Sequence, residues 1–164
     1  MKRHLITGLI AFIVGLALGA AITLFAYPFI FPPPEVNEQI ADVGQKERFR
    51  SGSFIHPNPS DPIHWGRGGV SIYRGPAGKE VFLAEDFEVG PGPAFHVYLS
   101  SGDAVTDNAA FEKSVNVDLG KLKSFRGSQV YAVPAHVQMT EIQSVVIWCV
   151  AFGQLISSAR LAAP

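Results

Sequence analysis

The sequence has a single cysteine, Cys149, among its 164 residues. One thiol excludes an internal disulfide framework and a metal site built of cysteine alone. An excess of basic charge is also missing, with 13 Lys and Arg against 14 Asp and Glu. Without a basic face, nucleic acid is excluded as a partner. There is no Gly-x-Ser-x-Gly, no His-Glu-x-x-His, no P-loop and no dinucleotide fingerprint, so the common hydrolase and nucleotide-binding signatures are absent. Glu85 and Asp86 are adjacent and face opposite ways on a strand, so they do not form an acid–base pair. Nothing in the pattern points to a self-contained enzyme.

Charge is also missing from Leu5 to Phe31. That run of about 27 residues exceeds the ~20 needed to cross a bilayer as helix. It is too long for the ~7–15-residue core of a cleavable signal. It ends in Phe25, Tyr27, Pro28, Phe29 and Phe31, as an uncleaved anchor does. Lys2 and Arg3 precede it, which predicts a cytoplasmic amino terminus and an extracytoplasmic remainder, periplasmic or at the cell surface. Gly15 and Gly19 form a small-xxx-small pair through which two anchors could pack as a weak homodimer; small residues are also simply common in such helices.

What is abundant is turn chemistry: sixteen Gly and twelve Pro favour short strands over long helices. Pro32-Pro33-Pro34 ends the helix and opens an extended spacer. The chain thus divides into an anchor over 1–31, a linker over 32–50 and a domain over 51–164. In the domain, strands are expected at 51–56, 70–74, 79–83, 94–99, 115–119, 127–133, 143–152 and 155–161. Seven or eight short strands at roughly 10–15-residue spacing predict an all-β antiparallel sandwich or barrel. The run Gln143–Phe152 is apolar on both faces and should lie mid-sheet. Strand alternation puts Val145, Ile147 and Cys149 on one side, and Val146, Trp148, Val150 and Phe152 on the other.

Cys149 carries the functional question. Buried among aliphatics, its thiol would be a raised-pKa filler. Lining a pocket near a cation or metal, it would serve as nucleophile, redox centre or axial ligand. His56, His64, His96 and His136 match no zinc signature, and no Cys-x-x-Cys-His for covalent haem occurs. His64 and His96 are the better second contacts, since one begins a strand and the other sits within one.

Phe82-Leu-Ala-Glu-Asp-Phe-Glu-Val-Gly-Pro-Gly-Pro-Ala-Phe-His-Val-Tyr-Leu99 resembles the centre of the DM-thirteen domain of Skeletor-type and bacterial proteins, often found beside DOMON domains. Val117–Lys123 with Gly127–Tyr131 and Pro134, then Ser144–Cys149 with Phe152, Ala159 and Leu161, are similar to its later blocks. Gly52-Ser-Phe54 and His64 resemble its opening. The resemblance implies a β-sandwich acting in electron transfer, with Cys149 as the redox-active residue. Kinship with DOMON-type folds implies haem, contacted by Cys149, His64, His96 or Trp148, and a redox partner protein. A Cys–His pair would hold the iron, and the thiolate would lower its potential. Where the family has a small turn after His64, this chain has Trp65, which bears on access to any site there. The rival expectation is a displayed module that binds a protein, sugar or lipid, with Cys149 as filler.

Overall fold

The computed structural model describes residues 2–162. The chain opens with α1 (Lys2–Ile30). Its stretch His4–Ile30 is long and apolar enough to cross a membrane, a property shared by membrane spans and signal sequences. Pairs of aromatic rings lie tilted against each other near its end, Phe25 with Phe29 and Tyr27 with Phe31. Gly15 and Gly19 are exposed on its surface.

Among the described residues ten strands follow: β1 (Glu47–Ser53), β2 (Gly66–Arg67), β3 (Gly69–Gly75), β4 (Gly78–Leu83), β5 (Glu88–Val89), β6 (Phe95–Ser100), β7 (Asn116–Lys121), β8 (Gln129–Val133), β9 (Ser144–Cys149) and β10 (Gln154–Arg160). They form two four-stranded sheets, β1-β3-β4-β8 and β10-β9-β6-β7, and a two-stranded piece, β2-β5. Every pairing is antiparallel. The result is the expected sandwich, not a closed barrel. One edge is laced by bridges between Ser51 and Ala162 and between Phe54 and Ala159.

Alternation builds the core. Val70, Ile72, Val81, Leu83 and Tyr131 from one sheet face Phe95, Val97, Leu99, Val145 and Ile147 from the other, all buried. Burying one such aliphatic side chain stabilises the fold by about 1.5–3 kcal/mol. All six residues of β9 are buried, because its outer face is covered too. That cover is α2 (Asn108–Glu112), whose start is capped by Asp107 accepting the Ala110 amide. Phe111 of α2 stacks on Trp148, ring centroids 4.1 Å apart. A bulge between Leu155 and Ser157 of β10 lets Leu155 join Trp148 on the outside while Ile156 enters the inner core.

The sequence expectation overran in two places: the strand expected at 51–56 lies earlier, as β1 over Glu47–Ser53, and the one expected at 143–152 ends early. β9 stops at Cys149, and Val150, Ala151 and Phe152 lie exposed in a turn. Phe152 is 59 % exposed. The apolar run continues past the strand because the turn itself is apolar, and periodicity does not separate the two. β2 and β5 are too short to leave a pattern.

The stretch after the prolines is not a free stalk. Glu38 is clamped to the start of β8: its amide donates to the Ser128 carbonyl at 3.0 Å, and its own carbonyl accepts from the Ser128 hydroxyl at 2.7 Å. Its carboxylate accepts from Lys123 Nζ at 2.6 Å and from the Val130 amide at 2.7 Å. Gly127 permits this close passage, since a side chain there would run into the Val36 carbonyl, and its φ of 86° favours glycine. Partial burial opposes ionisation of Glu38, but the Lys123 and Val130 contacts outweigh it and hold the carboxyl below its ordinary value. A depressed carboxyl pKa stabilises above the unfolded value and ceases to do so as pH falls through the folded one. Glu38→Ala should therefore free the linker, cost about 1 kcal/mol of stability, and make residues 32–46 protease-sensitive at neutral pH. The wild type should gain the same sensitivity only on acidification to below the ordinary glutamate range, because its folded carboxyl titrates lower than a free one. Equal cleavage of both proteins at pH 7 would refute the clamp.

Candidate functional site

β9 separates the candidate residues. Cys149 ends the strand on the inner face, paired across to Phe95, and is 2 % exposed. Trp148 precedes it on the outer face, paired across to His96. Strand alternation therefore gives Cys149 and Trp148 opposite faces. His96 Nδ1 meets Asp118 Oδ2 at 2.8 Å, and the His96 ring stacks beside Tyr98. Tyr98 also bonds Asp118, and burial together with that carboxylate pushes its phenol up to about 12.

His64 lies elsewhere. Its Nδ1 meets Asp61 Oδ2 at 2.6 Å, and Asp61 Oδ1 accepts the amides of Ile63 and His64 at 2.8 and 3.1 Å. The hydrogen bond from His64, then the two amides, hold Asp61 down at about 2. His64 lines a cavity of about 400 Å³ with Asn108 and Leu155. Trp65 turns away from it, toward Gly90. So Trp65 does not screen the His64 cavity.

The structure brings His96 and Trp148 together on the outer face. It brings neither of them, nor His64, to Cys149. A Cys–His pair on one haem iron does not fit this arrangement, because the thiol and the His96 ring emerge from opposite faces of the sheet. Among the described residues, Cys149 does not line the cavity beside His64 or the four other surface cavities over the sandwich and helix foot. Among them, too, no group of three or more His, Cys, Asp and Glu side chains gathers as a metal site.

What covers Cys149 is a loop. The turn from Gly90 through Pro91, Gly92 and Pro93 to Ala94 folds over the sulfur, and Sγ–H donates to the Pro93 carbonyl at 3.1 Å. The Val150 amide donates to the Ala94 carbonyl at 3.0 Å and pins the loop down. Gly92 lies under the Phe95 ring, where any side chain would collide. Ala94 sits at φ 50°, a left-handed conformation that disfavours a residue with a Cβ. Burial pushes the Cys149 thiol up; the Phe152 and Ala151 amides aimed at it offset only part of that.

Over residues 59–161 the chain matches the family described as electron transfer DM13. The chain belongs to that family. Comparison with curated proteins and with solved structures gives no significant match in either.

The DM13 match spans β2 to β10, the loop over Cys149, and both histidine pairs. Electron transfer is the role that goes with it. Sequence reasoning missed the partners that fix these side chains. Asp61 stands three residues from His64 and was legible as a partner; Asp118 lies on another strand, across a bulged register between β6 and β7, and was not. The outer layer should be stiff. Phe111→Ala removes the ring stacked on Trp148 and should cost about 3–5 kcal/mol, with Trp148 emission moving to the red. An unshifted emission maximum would contradict the stacked geometry.

Proposed function

We propose that this is a single-span membrane protein that displays its DM13 sandwich outside the cytoplasm and takes part there in electron transfer through the Cys149 sulfur. Lys2 and Arg3, just before the apolar stretch His4–Ile30, support that orientation. The observation that carries the redox reading is the cover over the sulfur: one short loop, held by the Sγ–H to Pro93 bond and the Val150 to Ala94 bond, with a strained residue at its hinge. Closed, the thiol is buried and its raised pKa keeps it protonated and unreactive. Open, it meets solvent beside the exposed apolar turn Val150–Phe152, where a redox partner protein can dock. Local opening of a few hydrogen bonds is inexpensive compared with global unfolding.

The open sulfur then has ordinary thiol chemistry. Its thiolate attacks one sulfur of a partner's disulfide, a new S–S bond forms as the old one breaks, and the partner's second sulfur leaves with the electron pair. The thiol proton goes to solvent. No step is routed through haem, since no Cys–His pair is built for it.

A second reading has its own support. A cysteine that is buried, hydrogen-bonded to a carbonyl and raised in pKa also suits a structural filler in a module that binds a protein, sugar or lipid. Incubation of the folded protein with oxidised glutathione separates the two. The redox reading expects a mixed disulfide at Cys149, formed roughly fivefold more slowly in Ala94→Gly, which relieves the strain of the closed loop. It expects faster formation in Ala94→Pro, whose ring forbids the closed φ. A Cys149 that stays a thiol in all three proteins leaves the binding module as the reading. An absorption spectrum of the protein purified from its own membrane, before and after dithionite, tests haem directly: a Soret band would contradict the thiol-only mechanism.

A further inference from the structure

The foot of α1 and the sandwich enclose a cavity of about 540 Å³, a volume within the usual range for small-molecule sites. Its lining mixes apolar and polar groups: the apolar part is Trp65 and Phe125 from the domain, Phe29 from the helix and Pro91 from the loop over Cys149, and the polar part includes Glu35, Glu88 and Arg126. Polar groups gather on one side: Arg126 pairs with Glu88 at 3.3 Å, and Arg67 with the same carboxylate. Arg126 and Glu88 line the cavity and remain partly exposed. A ring lying between aromatic and proline walls, with oxygens at its rim, would find stacking surface, a cationic donor and a carboxylate acceptor.

The position of the cavity selects among such rings. The eight residues from Phe31 to the clamped Glu38 reach at most about 28 Å when extended, so the domain stays within that distance of the end of the helix. A molecule dissolved in the bilayer would reach this cavity from the helix side, tail in lipid and ring against Trp65. On the far side stands the loop whose Pro93 carbonyl bonds Cys149, and Phe125 of the cavity wall packs edge-on against Phe95, the cross-strand neighbour of that cysteine. We propose that this cavity binds the head ring of a membrane-dissolved quinone or quinol. The inference rests on reading α1 as a bilayer span and the domain as an electron-transfer unit. It names the small redox carrier that meets the protein at the membrane surface.

Tryptophan reports on the site directly. The chain has two, so Trp148→Phe leaves Trp65 as the sole reporter and Trp65→Phe leaves Trp148. Full-length protein in lipid nanodiscs is titrated with a short-tailed benzoquinone, ubiquinone-1, which quenches indole on contact. Trp65 emission should fall along a saturating curve, while Trp148 should show only the weak linear loss of a distant ring. Adding Arg126→Ala to the Trp65 reporter should raise the half-saturation concentration about tenfold, as expected for one charge-assisted hydrogen bond. Linear quenching that is equal for the two tryptophans, or saturation unaltered by Arg126→Ala, would overturn the site. Binding is read without any thiol chemistry, so a Cys149 that never oxidises leaves this test standing, and a failed titration leaves the thiol reading untouched.

Discussion

The whole arrangement depends on β9 being buried on both faces. It lies between β10 and β6, and its inner side chains enter the sandwich while its outer ones go under α2. Alternation then permits no compromise: consecutive residues must go to opposite layers. Cys149 is committed to the inner core and Trp148 to the outer stack. One strand thus carries two chemically interesting side chains that do not share a site. His96, opposite Trp148, follows it outward and is held by Asp118. A thiol–imidazole pair is therefore not what this strand offers, and the proposed electron-transfer role rests on the thiol and its cover instead.

The second constraint is the tether. Glu38 closes three contacts with the β8 edge and one with Lys123, which turns the linker from a spacer into part of the domain. Only Phe31, the three prolines and Glu35–Asn37 remain between that clamp and α1. Trp65, Phe125 and Pro91 of the Gly90–Ala94 loop line a cavity together with Phe29 of the helix. Thiol cover and helix foot share Pro91 and its neighbours, so events at one are mechanically close to the other.

Much of this was legible in the sequence, for reasons that can be named. Val70, Ile72, Val81, Val97 and Leu99 alternate cleanly, and the Gly- and Pro-rich joints between them mark turns, so eight of the strands and the sandwich follow from pattern alone. The pairing of Cys149 and Trp148 to opposite faces followed in the same way. Other features depend on contacts distant in sequence. The end of β9 was hidden by Val150 and Phe152, which look like strand but serve a turn. Burial of Cys149 depends on Ala94 taking a left-handed conformation, and an alanine gives no hint of that as a glycine would. The Glu38 clamp joins residues some ninety positions apart, beyond any local signal.

The central claim is that Cys149 becomes reachable by local lifting of the Gly90–Ala94 loop. Two clocks on one molecule test it. Hydrogen exchange of the Val150 amide reports breakage of its bond to Ala94, and alkylation of Cys149 reports exposure of the sulfur. The account predicts equal protection for the two, well below that of the β9 amides at Val146 and Ile147. Thiol protection that matches those core amides instead would mean the sulfur is freed only when the sandwich unfolds, and the electron-transfer role would have to lie elsewhere.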